Sequence, residues 1–197
     1  MPRCTERQRG PLAAVLLLAA AGAWSFEDGA PAGHTGGFGE PDCTACHSDY
    51  PANPGEGRLE VRGWPERAVA GRSYRLTLVL EHPALASGGF QLSVRSADGA
   101  PAGILTAIGG DTRVESNGEN AYLQHTHPQS EPGPPGRAEW AFEWTAGDDG
   151  AVILNAAANA ANDDLSALGD VVLTLERRLE IAPPSGPAVR EPTGCEP

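Results

Sequence analysis

Tyr74-Arg75-Leu76-Thr77-Leu78-Val79-Leu80 is the stretch that decides the fold. Tyr74, Leu76, Leu78 and Leu80 recur at every second position, with Arg75 and Thr77 between them, which is the period of a strand with one buried face. The same parity returns in Phe90, Leu92 and Val94, where Gln91, Ser93 and Arg95 are expected to face outward, and in Trp140, Phe142 and Trp144, which are expected to be core. It returns once more in Val171, Leu173 and Leu175, and continues past Arg177 to Leu179 and Ile181. Weaker strand signals lie at 59–63, 103–108, 121–125 and 151–156. Turn clusters such as Ala97-Asp98-Gly99, Ser116-Asn117-Gly118 and Asp148-Asp149-Gly150 separate these segments. Eight or nine short strands at this spacing predict an all-β chain, an antiparallel immunoglobulin-like β-sandwich over residues 57–182. The Ala-rich stretch 156–161 reads as a strand end running into a loop, because Asn155, Asn159, Asn162, Asp163 and Asp164 crowd it and such residues favour turns.

Upstream the pattern changes. Arg3, Arg7 and Arg9 precede an apolar run from Leu12 to Ala21 that closes on Ala21-Gly22-Ala23, the form of a signal peptide over residues 1–23. That run is too short to span a bilayer, and no other stretch is long and apolar enough, so no transmembrane segment is expected in the mature chain. The formal charge is −12, and loss of three arginines against Glu6 makes the mature chain more acidic still. Such a chain repels phosphates, so nucleic acid is not expected as a partner. Residues 24–56 are rich in Gly and Pro and almost without apolar periodicity, so this segment cannot bury a core of its own. Its order has to come from a cofactor or from packing on the strands downstream of it. Residues 183–197, opening Pro183-Pro184-Ser185-Gly186-Pro187, read as a disordered tail.

Within the Gly/Pro-rich segment lies Cys43-Thr44-Ala45-Cys46-His47, the Cys-x-x-Cys-His pattern of c-type haem attachment. Two thiols three residues apart on a tight turn can form thioethers to the two vinyl groups of one porphyrin. The adjacent imidazole can then bind the iron as proximal ligand. The expected cofactor is one covalent haem c on Cys43, Cys46 and His47. Two other readings stay open: a small disulfide or thiol pair, and a zinc site, for which a fourth ligand is unaccounted for. Cys4 leaves with the signal, so Cys43, Cys46 and Cys195 remain, an odd number that suits a disulfide framework badly. Cys195 stands alone in the tail.

The sole methionine is Met1, so a mature single chain lacks the His/Met ligand pair. His125 is the first candidate for the distal iron position and His34 the second. His127 shares a face with His125 if the strand runs that far, but precedes Pro128 and reads as solvent-facing. His82, before Pro83, is expected to be exposed. The cluster from Asn155 to Asp164 offers oxygen atoms of the kind calcium takes, but without the ordered spacing of a calcium loop it reads as a solvated loop.

Gly33-His34-Thr35-Gly36-Gly37-Phe38-Gly39-Glu40 ahead of the Cys43–His47 motif, followed by Gly89-Phe90-Gln91-Leu92, Tyr122-Leu123-Gln124-His125-Thr126 and Ala158-Asn159-Ala160-Ala161-Asn162, resembles the bacterial Reeler-like proteins. These are also called choice-of-anchor V domain proteins, and their domain is related to the one that begins reelin. The resemblance covers about residues 30–182 and implies a sandwich fold and an extracytoplasmic location. Function has to be argued from the site. The expectation is an exported, periplasmic or extracellular, monohaem cytochrome-like protein that transfers electrons with a redox partner protein. The alternative is an extracellular binding or interaction module in which the motif is a disulfide, a metal site or an accessory haem site. No Ser/His/Asp order or carboxylate pair reads as hydrolytic machinery, so an enzyme is not expected beyond a redox or sensory haem role.

Overall fold

A computed structural model describes residues 28–127, 134–148 and 150–184. The signal segment 1–23, Cys195 and the tail beyond residue 184 lie outside them. Among the described residues no helix is long and apolar enough to cross a membrane.

Among the described residues ten strands form two sheets, numbered along the chain as β1 (Arg58–Arg62), β2 (Arg67–Val69), β3 (Ser73–Glu81), β4 (Ser87–Ser96), β5 (Ile104–Ala107), β6 (Thr112–Ser116), β7 (Ala121–His125), β8 (Arg137–Thr145), β9 (Gly150–Ala161) and β10 (Val171–Ala182). One sheet runs β1-β3-β8-β5 and the other β2-β10-β9-β4-β7-β6. The alternating segments read from the sequence become β3, β4, β8 and β10. β2 and β6 carry too few apolar residues to have been read as strands. Pairing is antiparallel except between β2 and β10, which run parallel through Glu180↔Arg67 to Ala182↔Val69. The sandwich is therefore mixed at that edge.

Register places the apolar parities against one another. Tyr74, Leu76 and Leu78 of β3 stand opposite Trp144, Phe142 and Trp140 of β8, and all three aromatic residues of β8 are fully buried. In the facing sheet Phe90 and Leu92 of β4 stand opposite Ala158 and Ala156 of β9. The Phe90 ring then meets Trp140 across the core with centroids 4.7 Å apart, a tilted aromatic contact. The Ala-rich stretch is thus central strand through Ala161, not a strand end. Its small side chains leave the depth that the large rings occupy, and tertiary packing overrides the turn preference of the neighbouring Asn residues.

Gln91, Ser93 and Arg95 point away from this core as their parity requires, yet all three are buried. The irregular segment lies over that face of the six-stranded sheet. Gln91 Oε1 accepts from the backbone N–H groups of Gly33 at 2.8 Å and His34 at 2.6 Å, while its Nε2 donates to the Pro31 carbonyl at 3.1 Å. Further along, Glu40 accepts from Thr35 Oγ1 at 2.6 Å, Tyr122 Oη at 2.6 Å and Arg95. Burial alone would raise the Glu40 carboxyl, but the hydrogen bonds from Thr35, Tyr122 and Arg95 outweigh it and hold the group below the usual carboxylate range. Burial, and then the bond to Glu40, pushes the Tyr122 phenol up to about 12. Asn53 bonds the free edge of β10: its N–H donates to the Val172 carbonyl at 2.9 Å, and its Oδ1 accepts from Thr174 N at 3.0 Å. A backbone lying this close needs small residues. A Cβ on Gly37 would stand 2.2 Å from Asn155 Cγ, closer than any real contact. The glycine richness of the segment is in part the cost of its approach to the sheet.

His82 is buried, not exposed: its Nδ1 accepts from Ala84 N at 3.1 Å inside its own turn.

Candidate functional site

The motif is held by a single 3₁₀ turn, Cys43–Ala45, docked on the sandwich. Asp42 caps it, accepting from Thr44 N at 2.7 Å, a use of the short carboxylate typical of turn starts. Cys46 N and His47 N both donate to the Cys43 carbonyl, at 3.2 and 2.9 Å, which curls the three motif side chains onto one short piece of chain. Cys43 and Cys46 are both free thiols. Burial pushes the Cys43 thiol up to about 12, and the neighbouring Asp42 carboxylate adds to the shift, so this sulfur is a thiol at neutral pH.

Cys43, Cys46 and His47 line an open cleft. His34 and His125 line the same cleft, and Ala161 and Leu165 supply apolar surface. Five residues that sequence reasoning assigned to one cofactor therefore meet at one place, although His125 lies far along the chain from the motif. His127 is elsewhere. β7 ends at His125, and the exposed His127 ring stands 3.3 Å from Asp28.

The His47 ring is fixed from behind. Its Nδ1 lies 2.6 Å from Oδ2 of Asp170, which is almost wholly buried. Asn159 Nδ2 donates to the same Asp170 oxygen at 3.0 Å, and Asn162 N donates to Oδ1 at 3.1 Å. Sequence reasoning missed Asp170 and Asn159 as site residues. Asn159 was read as part of a polar cluster forming a solvated loop, whereas Asn155 and Asn159 are in fact buried outward-facing residues of β9. Asn162, Asp163 and Asp164 remain exposed, as expected of that loop. Among the described residues no group of three or more His, Cys, Asp or Glu side chains is arranged to hold a bare metal ion.

The two distal candidates differ in what fixes their rings. His34 Nδ1 lies 2.9 Å from the Pro31 carbonyl, which can only accept, so Nδ1 carries the proton and Nε2 holds the lone pair. His125 Nδ1 lies 3.0 Å from Phe90 N and 3.2 Å from Phe90 O, a donor and an acceptor, so its tautomer is not set by this pair. Gly89 makes room for the His125 ring: a Cβ there would stand 2.6 Å from Cε1.

The residues present fit a covalently attached haem. Two free thiols at the attachment spacing share a cleft with an imidazole whose outer nitrogen is tied to a carboxylate, the arrangement that orients metal-ligating histidines. A buried acceptor, Asn159 Oδ1, has no hydrogen-bond partner among the described residues, as expected where a cleft takes a guest or water.

Fold and site together define an all-β sandwich carrying a Cys-x-x-Cys-His turn in a histidine-lined cleft. No family model and no curated protein matches the chain. Similar solved structures include the Reelin-N domain of F-spondin, at 24% identity over 64% of this chain and 86% of that one with a TM-score of 0.47. A human F-spondin reeler domain is similar at 24% identity over 64% and 89%, with a TM-score of 0.44. The bacterial hydrophobin BslA is similar at 15% identity over 70% and 100%, with a TM-score of 0.38.

Proposed function

We propose that this protein is an exported, monohaem, c-type cytochrome-like protein that transfers electrons to or from a redox partner outside the cytoplasm. The observation that carries the reading is the convergence of Cys43, Cys46 and His47 on one cleft with two further histidines. In this reading Cys43 and Cys46 would hold the cofactor through thioethers, and His47 would ligate its iron through Nε2. When bound, the haem supplies one-electron redox chemistry. The chain's own residues do the rest: the Asp42-capped turn presents the thiols, Ala161 and Leu165 shield one side, and the open rim admits a partner. His34 is the better distal ligand, because its partner leaves Nε2 with the lone pair, and His125 is the second. Export follows from the signal-like segment 1–23, and attachment of haem to such a motif takes place outside the cytoplasm.

The test is production in a host that matures c-type cytochromes, followed by intact mass, visible spectrum and haem staining after denaturing electrophoresis. The expected result is one haem per chain, with staining abolished in the Cys43→Ala/Cys46→Ala double variant. An unmodified wild-type mass, or a stained double variant, would refute covalent attachment at this site.

A further inference from the structure

His47 is the motif residue that meets a buried carboxylate, and that carboxylate comes from far along the chain. Asp170 stands immediately before β10, and Asn159 lies in β9. The two strands are locked by a register that begins at Val171↔Ala160, so the position of the carboxylate is set by the sheet and not by the motif turn. Asp170 Oδ2 lies 2.6 Å from His47 Nδ1. A carboxylate oxygen accepts, so the proton of the pair sits on Nδ1, and Nε2, which lies 3.5 Å from Asn159 Nδ2, is the lone-pair nitrogen. Burial of Asp170 strengthens the bond, because the local dielectric is low. Asn159 Nδ2 and Asn162 N satisfy the rest of the carboxylate and keep it from turning away.

We infer that Asp170 is a positioning residue for His47 that also holds the potential of the site low. This rests on the haem reading above. A carboxylate drawing on the Nδ1 proton makes the imidazole more basic at Nε2, and a more basic ligand favours ferric over ferrous iron, which carries one positive charge fewer. Reduction takes one electron from the redox partner. Asn159 works against this effect: its Nδ2 donates to Oδ2 at 3.0 Å and also stands 3.2 Å from His47 Nδ1, so it withdraws part of the acceptor strength that His47 uses.

The two neighbours therefore have opposite signs, which loosening of the fold would not produce. In the haem-bearing protein Asp170→Asn is expected to raise the midpoint potential by at least a tenfold change in the ferric-to-ferrous ratio at fixed poise, about 59 mV for a one-electron couple. Asn159→Ala is expected to lower it. Potentiometric titration reads both, and resonance Raman of the iron–histidine stretch in the ferrous form, where the distal ligand is removed by His34→Ala, should fall in Asp170→Asn. If Asp170→Asn does not fold, the sign of the Asn159→Ala shift decides by itself. Haem-bearing variants whose potentials stay put, or both move upward, overturn the role of Asp170 while leaving haem attachment standing. A wild-type chain without covalent haem overturns both.

Discussion

At the scale of single residues, the sharpest consequence of the proposed haem is the identity of its sixth ligand. Met1 is the only methionine, so a chain without residues 1–23 could not supply the sulfur ligation that raises cytochrome c potentials. With His34 tied to the Pro31 carbonyl through Nδ1, His34→Ala is expected to convert a six-coordinate ferric spectrum into one with an open position that binds carbon monoxide on reduction. His125→Ala should change it far less. The reverse pattern would assign the position to His125, and no change in either would place the ligand in a partner or in solvent. How much of this could be read from sequence depends on how local each signal is. Cys43, Cys46 and His47 are contiguous and carry their chemistry in their spacing. Asp170 has no local mark at all, because a carboxylate before a strand looks like any turn residue until β9 and β10 pair and deliver it to His47. His82 went wrong for a related reason: a residue before proline at a turn is usually outside, but here the turn folds back on its own ring.

At the scale of elements, the Gly/Pro-rich segment and strand β9 each show what an element needs beyond its own pattern. The segment has no core, and it is held by the polar outer face of a sheet instead, with Glu40, Arg95 and Tyr122 at the centre of the contact. Glu40→Ala would leave Arg95 buried without its carboxylate. The expected cost is about 3 kcal/mol, near the low end for breaking a buried pair because Glu40 keeps some solvent. It should appear as faster hydrogen exchange and earlier proteolysis in residues 28–56, and protection equal to wild type would remove Glu40 as the anchor. Because the Glu40 carboxyl is held below its ordinary value of 4.5, its contribution is complete above that value. It is lost as pH falls through the lowered one, so docking should loosen on acidification. Strand β9 makes the complementary point. Its alanines were readable as strand only through the size of what they face, so Ala158→Leu, opposite Phe90, should overpack the core. The expected loss is about 1–3 kcal/mol in chemical denaturation, and a neutral result would mean that the Phe90–Trp140 contact is looser than its 4.7 Å separation implies.

At the scale of the whole molecule, the two layers above and below the six-stranded sheet are made by different physics. Between the sheets the contiguous hydrophobic cluster begins at Leu59 and ends at Ile181 and includes no residue of the irregular segment. Above the sheet the contact is made by Gln91, Arg95, Tyr122, Asn155 and Asn159, groups that water can satisfy if the segment leaves. This separation explains why period-two alternation was enough to recover the sandwich, whereas the covering of its outer face was not readable: polar residues at outward positions look alike whether they meet solvent or a backbone. It also predicts that residues 57–182 fold without residues 24–56. Circular dichroism of the truncated chain should show mainly strand and a cooperative melt, because the area lost is largely hydrogen-bonding surface and the apolar core that drives folding is intact. Its Tm should fall by a modest amount, since Asn53 no longer bonds β10 and the Glu40 network is gone, but the transition should stay two-state. A broad, non-cooperative melt would show that the segment completes the core rather than capping it. In that case the cleft residues would owe their positions to the motif segment, and the rigid placement of Asp170 by β9 and β10 would have to be given up as well.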